Sequence, residues 1–309
     1  MIMAIDNDSW EHKTINKMLE MSVTEMRARR RWGIFFKLLY ASIVIVIIFM
    51  AMSKNSHKVP RKPFTAVINV SGEISADSDA SAENIVPLLR KAFENSNAKA
   101  VMLRINSPGG APVQTAEINS EIQHLRSKYP DKKLYAVIED IGTSAAYMLA
   151  CAADEIYADE ASIVGSIGVL LDSFGFVDTM KKMGVERRLY TSGYNKGMLD
   201  PFSPTKPDQI AMLQKELDLL HKIFINYVKE RRGSRLMVTN DMFSGRFWIG
   251  IESKELGLID GFGNPYTVAR TIIGAPELVE YEIKQSLFSQ LKGSLPGALR
   301  DLLLGMHIL

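Results

Sequence analysis

The chain has 309 residues, of which 47% are hydrophobic and 23% are charged, and its formal net charge at pH 7 is +2. This composition is ordinary for a folded protein, and the small net charge does not indicate a nucleic-acid partner. One cysteine, Cys151, excludes an internal disulfide bond and a multi-cysteine metal site.

The N-terminal region contains a long apolar run. Residues 33–52 read GIFFKLLYASIVIVIIFMAM, a length that can cross a hydrocarbon core of roughly 30 Å. The preceding cluster RARRRW is typical of a cytoplasmic flank. A cleaved signal peptide is the alternative, but the leading segment is long and acidic, and no A-x-A site follows. We predict a cytoplasmic tail over 1–32, a transmembrane helix over 33–52 and a linker over 53–63.

The rest of the chain alternates between strand and helix patterns, which predicts an α/β domain over 64–285. An apolar segment, 286–309, follows it. The predicted strands are 64–74, 99–106, 132–140, 155–160, 163–171 and 185–193. The predicted helices are 84–96, 113–129, 178–184 and 206–232, the last with apolar residues three or four apart.

The stretch RINSPGGAP joins a predicted strand to a helix through two glycines, Gly109 and Gly110. Free N–H groups at such a junction stabilise negative charge, and an acyl-transfer enzyme needs such donors for its oxyanion. A tight strand-to-helix turn is the plainer interpretation. The stretch is not a nucleotide-binding P-loop, because G-x-x-x-x-G-K-[ST] is absent.

The stretch VIEDIGTSAAYMLACAAD places Ser144 where a strand turns into an alanine-rich helix. A serine at that position is often a helix N-cap. Gly142, which permits a sharp turn, and the small residues Ala145 and Ala146 also suit a strand–turn–helix nucleophile elbow, although G-x-S-x-G itself is absent.

A nucleophilic serine needs a base. The five histidines are scattered without ligand spacing, so we predict no metal and no cofactor. His124 and His221 both fall within predicted helices and stay open as bases. Lysine can serve when burial lowers its pKa from about 10.4 towards 7–8. Lys196 stands alone in YTSGYNKGMLDPFSP, which makes it the other candidate.

Five stretches in register carry a resemblance to a known family. They are INSPGG, GTSAAY, ADEIYADEASIVGSIGV, the Y-T-S-G-x-x-K-x-x-x-x-P-F-S-P segment, and FSGRFWIGIESKELGLIDGFG. Over about residues 64–275 the chain resembles the signal peptide peptidase A family, whose members are serine proteases with a Ser-Lys dyad.

The resemblance implies a role for each matching residue. Ser144 matches the nucleophile, Lys196 the general base, and Ser166 a serine whose hydroxyl orients that lysine. Gly110 lies in the loop that donates the oxyanion-hole N–H, with Gly109 beside it.

The resemblance also implies a fold and an assembly. The fold is similar to the spiralled β-β-α unit of the Clp protease and crotonase groups. This chain is similar to the short members of the family, which have one copy of the unit and look like ring-forming homo-oligomers. In such a ring the serine of one subunit meets the lysine of its neighbour. The resemblance implies a single-pass protein of the bacterial inner membrane, with its catalytic domain on the periplasmic side.

The implied substrates are remnant signal peptides and other apolar peptides. An apolar groove suits that class, and the residues just after Ser166 are candidates for it; ordinary core packing is their alternative role. These residues are Val169, Leu170, Leu171 and Phe174.

Three other functions stay open. A crotonase-type enzyme acting on an acyl-thioester would use the same glycine loop without Lys196. A catalytically silent membrane scaffold would keep the fold, although Ser144, Ser166 and Lys196 are all present. A related membrane-anchored peptidase would act on different substrates.

Overall fold

The computed structural model describes residues 10–53 and 62–282. The chain divides into two compact units, one formed by residues 1–59 with 285–309 and the other by residues 60–284. The predicted C-terminal segment, 286–309, and most of the predicted linker lie outside the described residues.

The described part of the first unit is one helix, α1 (Trp10–Ser53). Its apolar side chains, including Phe35, Leu38 and Ile45, are exposed. No helix within residues 10–53 or 62–282 is both long enough and apolar enough to cross a membrane. The transmembrane helix predicted over 33–52 is therefore not confirmed, and the side chains of 47–53 lie outside the described part of the chain.

The second unit is built on a mostly parallel sheet. Its strands are β1 (Phe64–Ser71), β2 (Ala98–Ser107), β3 (Leu134–Thr143), β4 (Glu155–Ala158), β5 (Ile163–Gly165), β6 (Phe247–Ile249), β7 (Gly261–Phe262) and β8 (Leu278–Tyr281). The order across the sheet is β6-β5-β3-β2-β1-β8, and β4 lies between β3 and β7. Only the β5–β6 pair is antiparallel among these strands.

Helices cover the sheet. They are α2 (Ala82–Glu94), α3 (Pro112–Lys128), α4 (Ala145–Ala150), α5 (Val177–Lys182), α6 (Pro207–Arg232), α7 (Gly250–Glu255) and α8 (Pro265–Thr267), with a π-helical segment at Val268–Ile273. Along β1, Ile68 joins a core cluster that includes side chains of α2, α3 and α4, while Val67 joins a second cluster that includes the π-helical segment. Burial of both faces is usual for parallel strands, and it confirms the α/β class.

Strand β3 has two successive neighbours along one edge. Its residues 135–138 pair with β4, whereas its residues 141–143 pair with β5. Strand β2 occupies the other edge. This arrangement brings the end of β5 beside the end of β3, where Ser144 follows.

Two strand predictions were wrong. The strand predicted over 163–171 ends at Gly165, because Ser166 takes a φ of 50°, which a strand backbone does not adopt. The segment predicted as a strand over 185–193 is exposed and pairs with no described strand. A strand needs a partner for its backbone N–H and C=O groups, whatever the pattern of its side chains. The long helix predicted over 206–232 is confirmed as α6.

Candidate active site

Ser144 forms a strained elbow between β3 and α4. Its φ of 53° and ψ of −126° are unusual for a residue with a side chain. Two backbone bonds hold it: the Ser144 N–H donates to the Gly165 carbonyl at 2.8 Å, and the Ser144 carbonyl accepts from the Met148 N–H at 3.0 Å. Its hydroxyl makes no capping hydrogen bond. Ser144 occupies the N-cap position without capping, which leaves its hydroxyl for other chemistry.

The glycine loop packs directly against this elbow. A Cβ built on Gly109 would lie 2.8 Å from the Ser144 Cβ, 2.8 Å from the Thr143 carbonyl oxygen and 2.9 Å from the Ala145 nitrogen. The φ of Gly109, 106°, is also one that other residues rarely adopt. Glycine is therefore required at 109 both for the backbone angle and for the close approach to Ser144.

The backbone groups of the loop are nearly all engaged. The Gly109 N–H donates to Ser107 Oγ at 3.2 Å. The Gly109 carbonyl accepts from the Ile74 N–H at 2.8 Å, and the Ala111 N–H donates to the Ile74 carbonyl at 2.7 Å. Within the described residues the N–H of Gly110, which is exposed, has no acceptor. Of the N–H groups at 109–111, that of Gly110 is the one free to bind a ligand.

Thr143 links the loop to the strand that carries the nucleophile. Its Oγ1 donates to the Pro108 carbonyl at 3.1 Å. The sequence predicted a sharp turn at Gly142, and this was wrong, because Gly142 lies within β3. A Cβ there would lie 2.8 to 2.9 Å from side-chain carbons of Ile138, so the glycine makes room for packing.

Ser166 lies one residue beyond the carbonyl that holds the elbow. Its backbone has a φ of 50°, and its N–H donates to the Arg246 carbonyl at 2.9 Å. Its hydroxyl donates to the Gly245 carbonyl at 3.1 Å. The structure thus places Ser144, Ser166 and the glycine loop at one end of the sheet.

Lys196 is not joined to this group within one chain. It lies in a turn after Gly193, whose carbonyl accepts the Lys196 N–H at 3.1 Å, and its side chain is exposed. Among the described residues, no hydrogen bond or ion pair connects Lys196 to Ser144 or Ser166.

The two histidine candidates do not bond to Ser144 in the described part of the chain. His124 is exposed on α3. His221 on α6 lies with Nε2 3.1 Å from the Ile167 carbonyl oxygen, which can only accept, so Nε2 carries the proton. Within the same residues, no group of three or more His, Cys, Asp or Glu side chains is placed to hold a metal ion.

A buried ion pair joins α6 to the connection between α7 and β7, which also binds the elbow helix α4. Arg232, whose side chain is 1% exposed, donates to both carboxylate oxygens of Asp260 at 2.8 and 3.0 Å. Although burial alone raises the pKa of Asp260, the hydrogen bonds and charge of Arg232 outweigh it and hold that pKa below its ordinary value. In the same connection between α7 and β7, the Leu258 carbonyl accepts from the Tyr147 hydroxyl of α4 at 2.8 Å.

The segment 170–202, which contains Lys196, has many apolar side chains that are exposed to solvent. Leu170 is 81% exposed and Phe174 is 75% exposed, so ordinary core packing is the wrong interpretation for both. Further exposed apolar side chains of this segment are Leu171, Phe176, Met183, Val185, Leu189, Tyr190, Tyr194, Leu199 and Phe202. Exposed apolar side chains in this number are typical of an interaction surface.

Comparison with known proteins gives a family match over part of this chain. Residues 126–273 match the sequence model of peptidase family S49, and this range contains Ser144, Ser166 and Lys196. Over this range, which is nearly half of its length, the chain is similar to peptidase family S49, and relatives with protease names support the signal peptide peptidase A family. The glycine loop precedes the matched range of the S49 model.

Three relatives illustrate how far the similarity of this chain to known proteins extends. A protein of Brucella melitensis named Na(+)/H(+) antiporter NhaA is 45% identical over 74% of this chain, which covers only 31% of that relative. "Protease 4" of Haemophilus influenzae is 30% identical over 67% of this chain and 34% of its own length. "Probable protease SohB" of Buchnera aphidicola is 29% identical over 82% of this chain and 81% of its own length.

Sequence reasoning missed several residues around the candidate site. It noted Thr143 and Ser107 only as part of their motifs, yet their hydroxyls form hydrogen bonds with the glycine loop. It treated His221 as a candidate base, whereas the structure shows it bonded beside Ser166. The only signal was the position of Thr143 directly before the serine.

Proposed function

We propose that the chain is a serine endopeptidase that hydrolyses peptide bonds through an acyl-enzyme on Ser144. One observation carries the proposal: the uncapped hydroxyl of a strained elbow lies against a glycine loop whose Gly110 N–H is free among the described residues. Similarity to a peptidase family and relatives with protease names support it.

The geometry suits each step of acyl transfer. Ser144 Oγ attacks the peptide carbonyl carbon, and the carbonyl oxygen becomes an oxyanion that Gly110 N–H stabilises. One such donor contributes about 3 kcal/mol to the transition state. The serine proton passes to the base and then to the leaving amine. Water, activated by the same base, hydrolyses the ester and restores Ser144.

We assign the base to Lys196 of a neighbouring copy in a homo-oligomeric ring. Two features support this assignment: among the described residues no hydrogen bond joins the lysine to Ser144, and the lysine lies in segment 170–202, whose exposed apolar side chains a second copy can bury. Burial there would also remove water from the amine.

Ser166 is suited to orient that lysine. Because its hydroxyl donates its one hydrogen to the Gly245 carbonyl, its oxygen lone pairs remain available to accept an N–H from an ammonium or amine. The strained backbone at Ser166 is held by its own bond to the Arg246 carbonyl, which fixes the position of the oxygen.

We further propose that the substrates are apolar peptides such as remnant signal peptides, and that the protein is attached to the bacterial inner membrane through residues 33–52. The exposed apolar surface of segment 170–202 supports the first, and the apolar composition of 33–52 after a basic cluster supports the second. The catalytic domain would then be periplasmic. Release of the protein from membranes by an alkaline wash would refute the attachment.

The two neighbours of β3 support a finer description of the fold. We infer that β4 and β5, which pair with successive halves of one strand edge, belong to the spiralled unit of the Clp protease and crotonase groups.

Active-site labelling with a fluorophosphonate tests the function. We expect the detergent-solubilised wild type to be labelled, and Ser144→Ala and Lys196→Ala not to be labelled. Equal labelling of all three would overturn the proposal. Turnover of an acyl-thioester by Ser144→Ala would instead indicate a crotonase-type enzyme.

Co-expression of the two inactive variants tests the shared dyad. If one copy supplies Ser144 and its neighbour Lys196, random mixing of Ser144→Ala and Lys196→Ala chains restores about a quarter of the intact pairs in a cyclic assembly. Labelling and hydrolysis should return to about that fraction. If both residues came from one chain, the mixture would stay inactive.

A further inference from the structure

The hydrogen bonds around the glycine loop reach it from two sides. On one side, Ile74 binds the loop through both its N–H and its carbonyl. On the other side, toward the nucleophile, the contact between polar groups is the bond from Thr143 Oγ1 to the Pro108 carbonyl. The Ser107 hydroxyl binds within the loop itself, at the Gly109 N–H.

The side-chain bond replaces a sheet bond at the point where the ladder ends. Strands β2 and β3 pair as far as Ser107 and Gly142. The next residue, Thr143, has no partner in β2, although on the opposite edge of β3 its backbone still pairs with Gly165 of β5. Pro108 has no N–H to offer a ladder, so its carbonyl is the group through which β3 can hold it.

We propose that Thr143 is a positioning residue whose hydroxyl holds the glycine loop against the nucleophile. This inference rests on the proposed function, because the loop matters only if Gly110 N–H stabilises an oxyanion. Thr143 directly precedes Ser144 and is 6% exposed, so its χ1 rotamer is restricted by its surroundings. The hydroxyl therefore sets the distance between the donor at 110 and the attacking oxygen at 144.

Two substitutions at this position separate the hydroxyl from the packing. Thr143→Val keeps the shape and removes the hydroxyl, whereas Thr143→Ser keeps the hydroxyl. With an apolar fluorogenic peptide, we expect Thr143→Val to lower kcat about tenfold with KM changed less than about twofold, because the oxyanion exists only after attack. Thr143→Ser should recover most of the wild-type kcat.

A third variant controls for the loss of any buried threonine hydroxyl. Thr65 is also fully buried, and its Oγ1 donates to the Ala275 carbonyl at 2.7 Å, away from the glycine loop. Thr65→Val should lower the melting temperature without lowering kcat. A kcat loss in Thr65→Val equal to that in Thr143→Val would overturn the positioning role, because the effect would then be general.

Hydrogen exchange gives a readout that needs no turnover. In the full-length protein, amide exchange over residues 109–111 should be faster in Thr143→Val than in the wild type and unchanged in Thr143→Ser. Wild-type exchange together with wild-type kcat in Thr143→Val would refute the inference. A wild type that is neither labelled nor active would refute the proposed function instead, and exchange alone would then decide whether Thr143 holds the loop.

Discussion

Comparing Gly109→Ala with a control variant, Gly233→Ala, separates the cost of backbone strain from the effect of the close approach to Ser144. At a φ of 106° an alanine is strained, at a cost of about 1–2 kcal/mol. Its Cβ would also lie 2.8 Å from the Ser144 Cβ, while carbon atoms in contact need roughly 3.5–4.0 Å. Relieving that overlap requires a displacement of about 1 Å and costs about 1–3 kcal/mol more.

Gly233 provides the matched control for this prediction. Its φ is 55°, and an added Cβ would have no atom within 4 Å. Gly233→Ala should therefore carry only the strain cost and keep wild-type activity. Gly109→Ala should lower kcat/KM about a hundredfold, because a displacement of about 1 Å in a catalytic group has that effect. Denaturant unfolding measures the stability of both variants, and peptide hydrolysis measures their activity. Wild-type kcat/KM in Gly109→Ala would refute the packing of this loop on the nucleophile.

Two further predictions concern the surroundings of the site. Asp260→Asn leaves the buried Arg232 charge unpaired and should cost about 3–5 kcal/mol of unfolding free energy at pH 7. Because the folded-state pKa of Asp260 is lowered, the wild type has this advantage above the unfolded-state pKa of about 3.9 and loses it as pH falls further. A difference in unfolding free energy between wild type and Asp260→Asn that stays constant from pH 7 to pH 3 in denaturant titrations would contradict this. His221→Leu removes the donor to the Ile167 carbonyl and should lower kcat, whereas His221→Gln, which can still donate, should retain it. Equal activity of the two variants in hydrolysis assays would argue against this role.

The order of elements was largely predictable from the sequence because the core imposes it. Strands β1 to β4 and helix α6 all have side chains in the buried clusters, and their apolar patterns reflect that burial. The prediction failed over 185–193, where the side chains are exposed. A pattern there does not record packing within this chain, so it does not identify a strand.

The sequence named Ser144, Ser166 and the glycine loop as candidates, but it did not predict the geometry that brings them together. Ser144 and Ser166 both take positive φ values, and serine has no preference for that region that a sequence could reveal. Such strain persists only where the surroundings impose it: the Gly165 carbonyl holds one serine, and the Arg246 carbonyl holds the other.

The glycine at 109 is required by the elbow as well as by its own backbone angle. Because Ser144 turns its Cβ toward the loop, that loop can approach only without a Cβ of its own, as the 2.8 Å separation shows. The same approach brings the Pro108 carbonyl within reach of Thr143. The proposed nucleophile Ser144, the proposed donor at Gly110 and the hydrogen bond of Thr143 therefore all depend on the strained backbone angle at Ser144.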